Sequence, residues 1–225
     1  MEFWNKVDVN RRMIQINSIE EFEYTGVLAT GGYIDTVEDF CLEGVDVSSI
    51  PNNIINNVVK IVKGCIYLKD VAGWSTSLLN DAKCRVLVIV NMELRSESGG
   101  RPITMDGYLE LYDVGGDLSG LFSYLDVDEL RLGHFKSSML NDIRSSILTD
   151  DVQMIEMLNK KVKSLVMYCG GYPFPNWLSK YDGQGRCGRI TMRFEAEDLE
   201  HCKSWASTRG WDVYKQGENV VITKW

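Results

Sequence analysis

Residues Ile66–Leu79 read IYLKDVAGWSTSLL, and 43 residues further on Leu109–Phe122 read LELYDVGGDLSGLF. Both stretches begin apolar–x–Leu, pass through Asp-Val to a small residue and Gly, and end on an apolar pair. This echo constrains the fold more than composition does. One strand with one return segment cannot bury its own apolar face, whereas copies laid side by side share a continuous core.

Weaker copies extend the pattern. FCLEGVDVSSIP starts at Phe40, RVLVIVNMEL at Arg85, ELRLGHF at Glu129, LVMYCGGYPFPNWLSKY at Leu165 and RITMRFE at Arg189. Taking the second apolar residue of each run gives Leu42, Leu68, Val88, Leu111, Leu132, Met167 and Met192, spaced 26, 20, 23, 21, 35 and 25 residues apart. Each unit then reads as a strand, a turn and a helical or irregular return.

The returns carry helix signals. SIPNNIINNVVKIVKG places Pro51 at a helix start, a stripe at Ile54, Ile55, Val58, Val59 and Val62, and Gly64 at the close. STSLLNDAKC has room for a turn or two. The 35-residue step holds SSMLNDIRSSILTDDVQMIEMLNKKVKS, with Val152, Ile155, Met157, Leu158 and Val162 at helical spacing. Residues 194–225 break the period. They read as a helix to about Arg209, stopped by Gly210, then a hairpin of WDVYK and VVITKW that caps the stack. Residues 1–39 read as an N-terminal cap or small element, with a strand in RRMIQIN and a Ser-capped helix in SIEEFEY. The fold class is therefore α/β, with a parallel repeat sheet over 40–193 and a C-terminal cap.

The apolar pairs Ile66/Leu68, Leu109/Leu111, Leu130/Leu132 and Leu165/Met167 resemble those of the leucine-rich-repeat superfamily, closest to the ribonuclease-inhibitor type with helical returns. The turns carry DVAG, DVGG and CGG, and the family's Asn or Cys after the strand has no constant place. The resemblance implies a curved sheet whose concave face binds macromolecules, usually proteins. By analogy it implies the sensing module of an immune or ubiquitin-pathway assembly.

Strand alternation turns that implication into named residues. With Ile66, Leu68, Leu109, Leu111, Leu165 and Met167 facing the core, Tyr67, Lys69, Glu110, Tyr112, Val166 and Tyr168 face outward. Glu43, Leu87, Ile89, Arg131, Thr191 and Arg193 join them from the other units. Tyrosine and arginine suit an interface because they bury much area and keep a polar handle.

Composition narrows the partners. A net charge of −8 makes the chain a poor generic binder of nucleic acid or anionic membrane. The six cysteines, Cys41, Cys65, Cys84, Cys169, Cys187 and Cys202, form no CxxC pair, so no zinc or disulfide framework is expected. The charged, aromatic N-terminus lacks a signal-peptide core, and no run reaches a membrane-spanning length, which implies a cytoplasmic protein with free thiols.

No motif demands a cofactor or metal. YDGQGRCGR carries a literal GxGxxG at Gly183, Gly185 and Gly188, but a helix-like segment precedes it and a strand-like one follows, the reverse of a dinucleotide site. The acidic DVDEL lacks calcium-loop spacing. Trp74 stands in a turn where its sister unit has Asp117, and is expected to pack locally rather than to make partner contacts. Two other readings stand beside the binding scaffold. One is a thiol- or carboxylate-dependent hydrolase with a site in the 165–189 loops, drawing on His134 or His201. The other is a structural subunit that self-associates through an open sheet edge.

Overall fold

Short strands and helices alternate as the apolar spacing demands. The computed structural model describes residues 13–80, 82–95, 103–116, 121, 125–133, 151–168, 176–193, 198–217 and 219–224. It divides into two compact units, Met1–Gly107 with Val114–Asp126, and Tyr108–Asp113 with Val127–Trp225. Both are α/β. Ten strands form mostly parallel sheet, four in the first unit and six in the second.

In the first unit the strands are β1 (Met13–Ile16), β2 (Asp39–Glu43), β3 (Cys65–Lys69) and β4 (Val86–Leu94). They lie in chain order and all run parallel. Two core rows cross them: Ile14, Phe40, Ile66, Leu87, and Ile16, Leu42, Leu68, Ile89. All eight side chains are buried. Helix α1 (Ile19–Thr30) starts with a Ser18 cap: the Glu21 N–H donates to Ser18 Oγ at 3.2 Å, and the Glu21 carboxylate accepts from the Asn17 N–H at 3.0 Å. Helix α2 (Asn52–Ile61) follows Pro51 and buries Ile55, Val58 and Val59. The return before β4 is a single 3-10 turn, Thr76–Leu79, capped by Ser75. A short parallel pair, β5 (Ile103–Thr104) and β7 (Leu125–Asp126), completes this unit.

The second unit holds β6 (Tyr108–Gly116, through Asp113), β8 (Glu129–Gly133), β9 (Ser164–Tyr168) and β10 (Arg189–Arg193) in parallel. Then the direction changes. β12 (Asn219–Thr223) is antiparallel to β10, and β11 (Asp212–Gln216) is antiparallel to β12. Helix α3 (Asp151–Lys160) precedes β9, α4 (Asn176–Lys180) precedes β10, and α5 (Asp198–Ser207) precedes the hairpin. The helix-plus-hairpin reading of the C-terminus thus agrees with the structure.

Two sequence expectations need correction. Leu68 pairs with Ile89, not with Val88, so the β4 unit is offset by one residue. Val152 is 75% exposed, and the buried face of α3 is Met154, Met157 and Leu158. Met154 lies three residues before Met157 and four before Leu158, the spacing of one helix face, whereas Val152 lies outside it. The expected helix over 137–150 lies outside the described residues.

Candidate partner-binding face

In the first unit, the side of the sheet opposite the core rows carries Cys41 and Glu43, then Cys65, Tyr67 and Lys69, then Val86 and Val88, all half-buried. Gln15, Cys41, Tyr67 and Val88 share one row, and Glu43 pairs with Lys69 in the next. Lys69 Nζ donates to Glu43 Oε1 at 2.5 Å and lies 4.0 Å from Asp70 Oδ2. The bond to Glu43 raises the Lys69 ammonium above its ordinary value. Burial raises the Tyr67 phenol against the opposing pull of Lys69. Burial also raises the Cys41 thiol, helped by Glu43. The Tyr67 phenol and the Cys41 thiol are therefore uncharged at neutral pH, beside the Lys69–Glu43 ion pair.

Leu87 and Ile89 do not belong to it. Both are fully buried in the core rows, and Val86 and Val88 take the outward positions. RVLVIVN is apolar at five successive residues, so alternation along it carries no phase, and a one-residue slip exchanges the two faces.

A signal for the phase exists in the backbone. Gly44 (φ 67°), Asp70 (φ 53°), Asn91 (φ 49°) and Asp113 (φ 50°) are all left-handed. Each stands two residues after a core residue: Leu42, Leu68, Ile89 and Leu111. Gly, Asn and Asp are the residue types that adopt this region most readily. The residue type at this turn varies, but in these four strands its place is constant, and Asn91 marks Ile89 as the core residue. Asn91 Nδ2 donates to Asp70 Oδ1. An open groove of about 420 Å³ lies here, lined among others by Asp70, Ala72, Asn91 and Arg95.

In the second unit the outward rows are Tyr108, Glu129, Ser164, Arg189 and Glu110, Arg131, Val166, Thr191. Arg131 organises them. Its Nε donates to Glu129 Oε1 at 2.6 Å, and a second guanidinium nitrogen lies 3.7 Å from Glu110 Oε2. The guanidinium stacks 3.6 Å from the Tyr108 ring centroid. Ser164 Oγ donates to Glu129 Oε2 at 3.0 Å. Burial works against the Arg131 charge, but Glu129, Tyr108 and Glu110 outweigh it and raise the guanidinium further. Glu110 is only 16% exposed. Gly133 makes room for Tyr112, because a Cβ there would clash with the edge of the Tyr112 ring. Tyr168 and Arg193 continue the row of Tyr112 and Gly133 by register, and their side chains lie outside the described residues.

The structure thus places Glu43, Tyr67 and Lys69 together in one unit, and Glu110, Tyr112, Arg131 and Val166 together in the other. Sequence reading missed Cys41, Cys65, Val86, Val88, Tyr108, Glu129 and Ser164. Tyr108 and Glu129 stand two residues before Glu110 and Arg131, so one more step of the same alternation reaches them.

The glycine motif is structural. Gly183 is left-handed (φ 76°), and the Gly183 and Gly185 carbonyls accept from Lys224 Nζ at 3.1 and 2.7 Å. Carbonyls turned toward an ammonium are the opposite of a phosphate cradle. Arg186 lies 3.6 Å from Asp128. Trp74 is fully buried, as packing requires. Burial pushes the Cys84 thiol up to about 12 and Cys187 up to about 11, so neither is a thiolate at neutral pH. His134, Cys169 and the 169–175 loop lie outside the described residues, as does the His201 side chain. Among the described residues no His, Cys, Asp and Glu group is placed to hold a metal, and no helix is long and apolar enough to cross a membrane. Comparison with protein-family models, curated proteins and solved structures gives no significant match.

Proposed function

We propose that this chain is a non-enzymatic protein-binding scaffold, a leucine-rich-repeat-like solenoid that recognises a protein partner with the exposed face of its sheet. The observation that carries the reading is the strand order. In each unit the parallel strands follow one another in chain order, as stacked repeats require, instead of reversing about a central strand. Apolar rows fill one side, and half-buried tyrosines and cross-strand ion pairs occupy the other.

The charges on that face sharpen the partner class. Lys69 is committed to Glu43, and Arg131 to Glu110 and Glu129. Arg189 stands exposed in the outer row, but with these two cations committed and a net charge of −8 the chain favours a protein surface over nucleic acid. Tyr67 and Tyr112 then supply the apolar area with a polar tip that anchors an interface. A sensing role in an immune or ubiquitin-pathway assembly rests on the family resemblance alone.

The test is the triple variant Tyr67→Ala, Tyr112→Ala, Tyr168→Ala. It is expected to keep the circular dichroism spectrum and to lose the proteins that the wild type captures from native lysate, read by quantitative mass spectrometry. Equal recovery by a folded triple variant overturns the assignment of the face.

A further inference from the structure

We infer that the terminal strand of the second unit is guarded against strand addition by Lys215. The row that begins at Leu111 runs through Leu132, Met167, Met192 and Val220, and it ends at Lys215. The parallel row from Leu109 through Leu130, Leu165, Ile190 and Ile222 ends at Val213. Five successive strands place an apolar residue in the Leu111 row, and the sixth places a lysine.

That sixth strand is β11, which pairs with β12 alone among the described residues. Four of its five residues are exposed, and only Val213 is half-buried. A terminal strand presents N–H and C=O groups in a ready template for a further strand, from another copy or another protein. With Val213 and Tyr214 beside it, an apolar residue at 215 would make that template adhesive.

Lysine does the reverse. Its stem can lie along the rim of the apolar row while the ammonium stays in water. A strand added outside β11 would close over that ammonium on the core side of the sheet, where an unpaired charge is costly. The guard therefore blocks extension of the sheet without disturbing the hairpin itself. It also implies that neither self-association nor partner capture runs through this edge, a conclusion independent of the exposed-face reading.

The test compares Lys215→Val and Lys215→Thr, which remove the charge, with Lys215→Arg, which keeps it. Sedimentation velocity over a wide concentration range is the readout, with circular dichroism to verify folding. The uncharged variants are expected to reach at least twice the wild-type mass as concentration rises, while Lys215→Arg tracks the wild type. Folded Val and Thr variants whose mass equals that of the wild type overturn the inference. So does an Arg variant that associates as readily as they do. If Lys215→Val fails to fold, Lys215→Thr, uncharged and β-branched, decides alone.

Discussion

Each unit runs apolar rows across parallel strands, but the two hold them by different means. In the first, four parallel strands follow one another, and the two core rows repeat apolar residues at every step. The exits of β2 and β3 and the bend within β4 are each made by one left-handed residue, Gly44, Asp70 and Asn91. In the second, four parallel strands give way to an antiparallel hairpin. A parallel neighbour needs a long crossover, whereas an antiparallel one needs only a tight turn, so a hairpin is an economical way to end a sheet.

The termination is held by side chains that occur once. Arg209 donates to the carbonyls of Tyr181 at 2.9 Å, Ser179 at 3.1 Å and Trp205 at 3.2 Å. Lys224 bonds two glycine carbonyls. The rings of Trp205 and Trp211 meet edge to face at 5.4 Å, and Tyr181 stacks on Trp205 at 6.4 Å. Repetition extends a sheet with interchangeable apolar residues; stopping it takes specific ones.

The strongest way to break this comparison is through the rows. Leu68→Ala and Ile89→Ala are each expected to cost about 2–5 kcal/mol in urea melts, since both leave cavities at equivalent buried positions. Val88→Ala, on the outward side, is expected to cost less than about 1 kcal/mol. A larger loss at Val88 than at Ile89 reverses the register of β4.

A smaller effect sharpens the contrast between repeated turns and single locks. Asn91→Val forces a β-branched residue to φ 49°, and Lys224→Met removes the ammonium from the two carbonyls. Each is expected to cost about 1–2 kcal/mol in the same melts. A neutral Asn91→Val would show that the left-handed turn is incidental to the repeat.

The last effect is absent at neutral pH and emerges only in alkali. The folded-state values of Cys84 and Cys187 lie above the ordinary thiol value of 9.0, at about 12 and about 11. Their protonated forms are favoured in the fold, so the associated stability is intact below pH 9 and is lost as pH rises toward 11 and 12. Each thiol contributes a slope of at most about 1.4 kcal/mol per pH unit in that window. Urea midpoints measured on either side of pH 9 are expected to fall on the alkaline side, and less steeply in Cys84→Ala. An unchanged slope in that variant removes Cys84 from the account.

What the amino-acid order determined by itself is local. Ile66/Leu68, Leu109/Leu111 and Leu130/Leu132 alternate with polar or amphipathic neighbours, so their strands and their faces follow from the pleat. Pro51, the Ser18 cap and Gly210 sit at or beside helix ends for equally local reasons. Tertiary structure decided the rest. Nothing within VLVIV says which side faces the core; the register against β3 does. Nothing in YDGQGRCGR announces that its carbonyls await Lys224, which lies 41 residues beyond Gly183. Glu110, Glu129 and Arg131 form one cluster only because β6 and β8 pair in register. Side-chain alternation is a property of neighbours along the chain. A charge partner, a filled carbonyl pair or the phase of an unbroken apolar run is a property of neighbours across it.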